Sequence, residues 1–299
     1  MEFSFLTLLV LIVYSDRACQ PKVNRKVSSE MVGTIPSGYK LTFSDEFDTL
    51  SLDTAADGGE TWATKFVKWN VRSLPSNSEK QFYVDADLHG QSGALVNVNP
   101  FSINNGVLTI EGKPASKAVT GDIWGYQYTS GHISTELSFA QQYGYFEIRA
   151  QLPAGQGIWP CFWMLPVDGS WPPEIDVFEV LGHEPNVIHQ STHGTGGATG
   201  SHVLNQDATH WHTYGLEWTE KTITWTIDGV VTRKAASEFH KPMYMIANLA
   251  IGGNWPGDPD ATTPWPVRYN IDYIRAYTKT TDVPPVSDHA SQQRRRMKD

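Results

Sequence analysis

The chain has 299 residues, of which 18% are charged and 12% aromatic, enough for one large all-β domain or two smaller units. Its formal net charge of −9 argues against nucleic acid or an anionic membrane as the main partner. Two cysteines, Cys19 and Cys161, exclude a disulfide framework, and no Cys/His pattern has zinc spacing.

Residues 1–14 form an apolar run as long as a signal-peptide core and too short for a comfortable membrane span. Residues 1–19 therefore read as a leader, which predicts a secreted, extracellular or periplasmic protein. Its flanks are atypical: Glu2 stands where a basic residue is expected, and Ser15-Asp16-Arg17-Ala18-Cys19 is a weak cleavage site. The competing reading is a start placed too far upstream. Residues 20–36 are polar and read as a linker, 37–280 as the folded domain, and 281–299, with Pro284-Pro285 and Arg294-Arg295-Arg296, as a solvated tail.

From Tyr39 onward, short apolar runs are cut by Gly, Pro, Asn and Asp. Strands are predicted at 40–43, 106–110, 145–152 and 222–227, the last running into Asp228-Gly229, a hairpin signal, with Val230–Arg233 returning. No stretch between 39 and 278 keeps a 3.6-residue period over three turns, so a β-sandwich is expected.

Residues 174–179 read Glu-Ile-Asp-Val-Phe-Glu. On a helix, at about 100° per residue, Asp176 and Glu179 lie ~200° and ~140° round from Glu174 and point away from it. On a strand Glu174 and Asp176 share a face and Glu179 falls opposite. One extra residue bulged out near Val177 or Phe178 brings all three to one face. Crowded carboxylates push each other's ionisations apart, leaving one protonated and another charged. Taken alone the run also reads as an acidic solvent face. Its neighbours favour a sugar cleft: Trp159 and Trp163 lie upstream and Trp171 immediately precedes, offering flat apolar faces. On the next strand, 187–193, His189, Ser191 and His193 share a face. Gly252-Gly253 before Asn254-Trp255 reads as a loop carrying Trp255 to a groove rim. Retaining glycoside hydrolysis needs two carboxyl groups ~5–5.5 Å apart, for which Glu174 and Glu179 are the candidates, and strand direction alone does not say which does what.

Several segments together resemble glycoside hydrolase family 16 between about Tyr39 and Tyr277: Phe43–Phe47, Tyr128–Gly131, Tyr143–Glu147, Gly157–Leu165, the acidic strand, Asn248–Pro256 and Ile271–Tyr277. The resemblance implies a concanavalin-like β-jelly-roll sandwich with a concave substrate cleft. It implies an endo-acting retaining β-glycanase that hydrolyses internal β-1,3 or mixed β-1,3/1,4 bonds of a β-glucan or bacterial exopolysaccharide, working as a monomer. By the family's Glu-x-Asp-x-x-Glu pattern, Glu174 is the nucleophile, Asp176 its assistant and Glu179 the acid/base. The six-residue bulged form is that of the laminarinase-like branch. Trp159 and Trp163 map to sugar-stacking residues, His193 to the cleft histidine and Trp255 to a rim contact. No cofactor is implied for catalysis, but a structural calcium is, held by Asp272 with backbone oxygens near Glu46 and Gly106.

One stretch departs. Where laminarinase-like members often read Asn-Asn-Glu-x-Gln-x-Tyr, this chain has Asn77-Ser-Glu79-Lys-Gln81-Phe-Tyr83, an altered polar cleft contact. The segment from Thr61 to Asp85 looks closer to bacterial endo-β-1,3-1,4-glycanases that trim exopolysaccharides. Two further readings share the scaffold: a non-catalytic glucan-binding module, which loses one or both glutamates, and a transglycosylase with sugar as acceptor.

Overall fold

The computed structural model describes residues 37–280; the leader, linker and tail readings lie outside them. Eighteen strands follow in order: β1 (Tyr39–Asp45), β2 (Leu52–Asp53), β3 (Trp62–Ala63), β4 (Gln81–Tyr83), β5 (Phe101–Asn104) and β6 (Val107–Pro114). Next come β7 (Tyr128–Ser130), β8 (His132–Ser134), β9 (Gly144–Gln151), β10 (Ile158–Pro166), β11 (Glu174–Val180) and β12 (Val187–His193). The last are β13 (Thr199–Val203), β14 (His212–Trp218), β15 (Thr222–Ile227), β16 (Val230–Ala236), β17 (Met243–Ile251) and β18 (Val267–Lys279). A single α-helix among the described residues, α1 (Lys117–Asp122), is too short to have shown a helical period, and Ser116 caps it by accepting from the Val119 N–H. No helix there is long and apolar enough to cross a membrane.

The strands form two stacked sheets. One holds ten strands, with the path β16-β15-β14-β9-β18-β6-β7-β4 and with β1 and β5 pairing β18 and β6; the other runs β13-β12-β11-β10-β17-β8-β3-β2. Nearly all pairings are antiparallel, so short turns suffice. At the β15–β16 hairpin Asp228 and Gly229 have φ of 50° and 77°, the pair of positive values that a two-residue type I′ turn demands.

The eight-stranded sheet is buried on both faces at its centre. From β10, Ile158, Phe162 and Met164 enter the main core between the sheets, while Cys161, Trp163 and Leu165 face the other way into a smaller cluster with Phe66 and Tyr83. That alternation explains why β10 and β17 read as unbroken apolar runs.

Strand β11 carries the bulge. Against β10, Phe178 pairs with Phe162 and Asp176 with Trp163, leaving Val177 without a partner. Against β12, Asp176 pairs with Ser191 and Glu179 with His189, so two residues oppose one. Val177 and Phe178 both enter the core with Ile175 and Val180, which turns Glu179 outward beside Asp176. The bulge is clamped from the opposite sheet, where the Trp225 indole donates to the Asp176 carbonyl at 2.8 Å. Phe178 wedges beside it, its ring 4.4 Å from that of Tyr214.

Candidate active site

Strands β10–β13 and β17 present their outward side chains to a cleft of about 1000 Å3. Five adjacent strands at about 4.8 Å spacing give a floor about 19 Å across, longer than one sugar ring. Glu174, Asp176 and Glu179, from one face of β11, lie in it together with Trp159, Trp163, His189, Ser191, His193 and Trp255.

Each carboxyl has its own neighbours. The Trp171 indole donates to Glu174 Oε2 at 2.9 Å. His193 Nε2 stands 3.5 Å from Glu174 Oε1 and 3.2 Å from Asp176 Oδ2, held there because His193 pairs directly with Glu174 across β11 and β12. Trp159 donates to Glu179 Oε1 at 3.2 Å. No lysine or arginine lines the cleft.

Those surroundings divide the protons. Burial, then the charge of Glu174 and a hydrogen bond with it, pushes the Asp176 carboxyl well above the ordinary carboxylate range. Burial also raises Glu174, but His193 and the bonds from Trp171 and Asp176 oppose the rise. Glu179 is pushed well up by burial, then by the charges of Asp176 and Glu174, against weaker relief from His193 and Trp159. All three carboxyls are therefore raised, Asp176 and Glu179 well up and Glu174 less so, because His193 and the bonds from Trp171 and Asp176 oppose its rise.

The tryptophans differ from one another. Trp255 is 42% exposed, and its ring meets those of Trp159 at 5.5 Å and His189 at 4.7 Å, both edge to face. Trp163 is only 7% exposed: it is cleft floor rather than an open stacking platform. Its indole donates to Asn248 Oδ1 at 2.7 Å, and Asn248 in turn donates to Tyr83 at 2.9 Å. The turn that delivers Trp255 uses Gly252 at φ 68° and Gly253 at φ 128°, where an added Cβ would come within 2.9 Å of the Asn77 carbonyl.

The departing segment supplies a wall. Glu79 accepts from Asn77, Gln81 and the Leu74 N–H at 3.1, 2.6 and 3.2 Å, and burial raises its pKa. Trp69 carried no local sequence signal, and the bond between Asn248 and Tyr83 could not be read locally, since the two come from segments far apart. His189 did carry one, in its face shared with His193; its Nε2 is buried without a hydrogen-bond partner.

The residues expected at a calcium ion lie apart from this cleft. Asp272 meets Arg149 at 2.7 Å, and Glu46 is held by both Nε and Nη2 of Arg275 at 2.8 Å. Asp272 therefore faces a guanidinium, which a divalent ion would have to displace, so its side chain as placed does not fit calcium. Among the described residues, Glu174, Asp176 and His193 alone bring three metal-capable side chains within 4.8 Å.

Residues 94–275 match the family model of glycosyl hydrolases family 16. Over 249 residues the chain is 45% identical to the endo-1,3-1,4-beta-glycanase ExsH of Rhizobium meliloti, covering 81% of this chain and 52% of that protein. It is 31% identical to a beta-glucanase of Rhodothermus marinus, covering 80% and 85% of the two. The laminarinase catalytic domain of Thermotoga maritima superposes with a TM-score of 0.66 at 31% identity, covering 80% of this chain and 98% of that one. The chain spans about half the length of the two rhizobial glycanases it matches. With the family model matched over most of the folded part, on a two-sheet sandwich bearing the acidic strand, the chain belongs to glycosyl hydrolase family 16.

Proposed function

We propose that the protein is an exported, endo-acting retaining β-glycanase that cleaves internal bonds of a polysaccharide with β-1,3 or mixed β-1,3/1,4 linkages. The observation that carries this reading is the bulged strand, which sets Glu174, Asp176 and Glu179 on one cleft face, Glu174 with the Trp171 donor and Glu179 with its carboxyl pushed well up. A floor crossing five strands supports internal attack on a long chain. The names of the relatives support the linkage, and the altered Asn77–Tyr83 wall favours mixed linkages over a plain β-1,3-glucan.

In the first step Glu179 gives its proton to the glycosidic oxygen while a Glu174 oxygen attacks the anomeric carbon, forming a glycosyl ester as the leaving sugar departs. Asp176 keeps the attacking carboxylate oriented through its proton, and the Trp171 indole holds the other oxygen. In the second step Glu179, now charged, takes a proton from water, which attacks the anomeric carbon and frees Glu174. Both glutamates being present, the glucan-binding alternative is not favoured.

Incubation with laminarin, lichenan and succinoglycan, with products sized and their anomers read by NMR, tests the proposal. Internal fragments released first in the β configuration are expected. Inverted products, or release of single sugars from chain ends, would sink it.

A further inference from the structure

A second cavity, of about 400 Å3, lies behind the wall of the cleft. Residues 69–77 separate the two: Trp69, Leu74 and Asn77 line the cleft, whereas Arg72, Ser73 and Pro75 line the second cavity. Its apolar side is aromatic. The Phe82 ring lies 5.4 Å from that of Trp124 and 5.3 Å from that of Tyr126, above a small core of Val84, Val96 and Ile123.

Three features there are unexplained by folding alone. Trp124 is 53% exposed and sits at φ 54°, a left-handed conformation unfavourable for a bulky residue. The side chain gains little burial in return, and among the described residues its indole N–H has no hydrogen-bond partner. Ser73 is 2% exposed, and its hydroxyl is buried without a partner, a group that costs stability until something pairs it. Lys65 reaches only the Asn70 side-chain oxygen, at 3.0 Å, and makes no ion pair among the described residues. The charge of Arg72 is spent on Asp85 at 2.8 Å, and no carboxylate lines the cavity.

A flat aromatic face, an unpaired hydroxyl and one uncompensated positive charge match a pyranose ring carrying a carboxylate. The cleft is the reverse, lined by Glu79, Glu174, Asp176 and Glu179 without a lysine or arginine, and offers such a unit no cation. We infer that this cavity is a second saccharide site, which holds an acid-substituted sugar of the polymer, its ring on Trp124 and its carboxylate on Lys65. The site rests on the cleft being a polysaccharide site, and it places the acidic units of a substituted chain outside the reaction centre.

The test uses the full chain carrying Glu174→Gln, so that ligand survives, titrated calorimetrically with neutral laminarihexaose and with a carboxymethylated β-1,3-glucan oligosaccharide. The neutral probe is expected to fill the cleft in every variant. The carboxymethylated probe is expected to bind at the second site, about tenfold weaker after Trp124→Ala, the loss of one stacking face. Lys65→Gln should weaken that probe about fivefold at low salt and leave the neutral isotherm as it was. Carboxymethyl binding indifferent to both substitutions overturns the second site. Neutral binding weakened equally by Trp124→Ala also overturns it, because the effect would then be on the cleft wall. Loss of neutral binding in the Glu174→Gln parent, with Trp124-dependent carboxymethyl binding intact, would instead overturn the reading of the cleft.

Discussion

In the cleft, Asp176 is buried and Glu179 half-buried with no lysine or arginine beside them, and desolvation together with neighbouring carboxylates pushes both well above the ordinary carboxylate range. On the ten-stranded sheet's side, Glu46 and Glu111 feel burial too. Hydrogen bonds and charge from Arg275 and Ser44, and from Lys113 and Arg268, hold them below the ordinary value instead. Glu147 shows that the side of the molecule is not the cause. It lies on the ten-stranded sheet with Arg275 near, yet its full burial raises it. What separates the two regions is whether a cation is placed close enough to offset desolvation. The cleft withholds one, and gains an acid able to protonate a leaving group.

The contrast can be broken hardest at Glu174. Glu174→Gln should lower turnover by about 10⁴-fold or more while the thermal midpoint stays near that of the parent, as steady-state rates and calorimetry would register. A variant that still turns over removes the nucleophile from Glu174. Glu179→Gln should cost about 10²–10⁴-fold on an unactivated substrate and erase the alkaline limb of the rate profile, which reports loss of that proton. An unchanged alkaline limb assigns the acid elsewhere.

Phe178→Ala tests the bulge itself. Emptying this fully buried site should cost about 3–5 kcal/mol in denaturant unfolding, because the neighbouring rings only partly collapse into it. Asp176→Asn separates activity from stability. The folded-state pKa of Asp176 is raised, so its contribution to stability is complete below the unfolded value and is lost as pH climbs through the raised one. The asparagine variant should therefore melt about 2–4 °C higher than the parent at neutral to alkaline pH, and equally at acid pH, while turning over more slowly. Glu46 and Glu111 have lowered values, so their contributions run the other way, present above the ordinary value and lost on acidification. Arg268→Ala, at an exposed pair with Glu111, should change the thermal midpoint by no more than about 1–2 °C and least of all in high salt.

The acidic strand was legible because three carboxylates at 174, 176 and 179 fit a strand face only with one residue added, and the pairing with β10 leaves Val177 as that residue. The hairpin at Asp228-Gly229 was legible for a similar local reason: few residue pairs accept two positive φ values. Trp163 was harder. Its place in an aromatic-rich run suggested an open platform, but the run does not say that Phe66 and Asn248 cover it. Nor does the sequence near Asp272 disclose Arg149, 123 residues away, as its partner.

Alternation, turn chemistry and the acidic spacing thus determined from the sequence alone that this is a β-sandwich with a bulged strand bearing three cleft carboxylates, since each depends on backbone geometry over a few residues. Tertiary structure decided how those carboxylates hold their protons. The Trp225 clamp comes from the opposite sheet, the indole donors from other strands and loops, and the walls that exclude cations from segments over a hundred residues apart. Proton affinity answers to burial and to the nearest charge, and both are set only when distant strands are brought together.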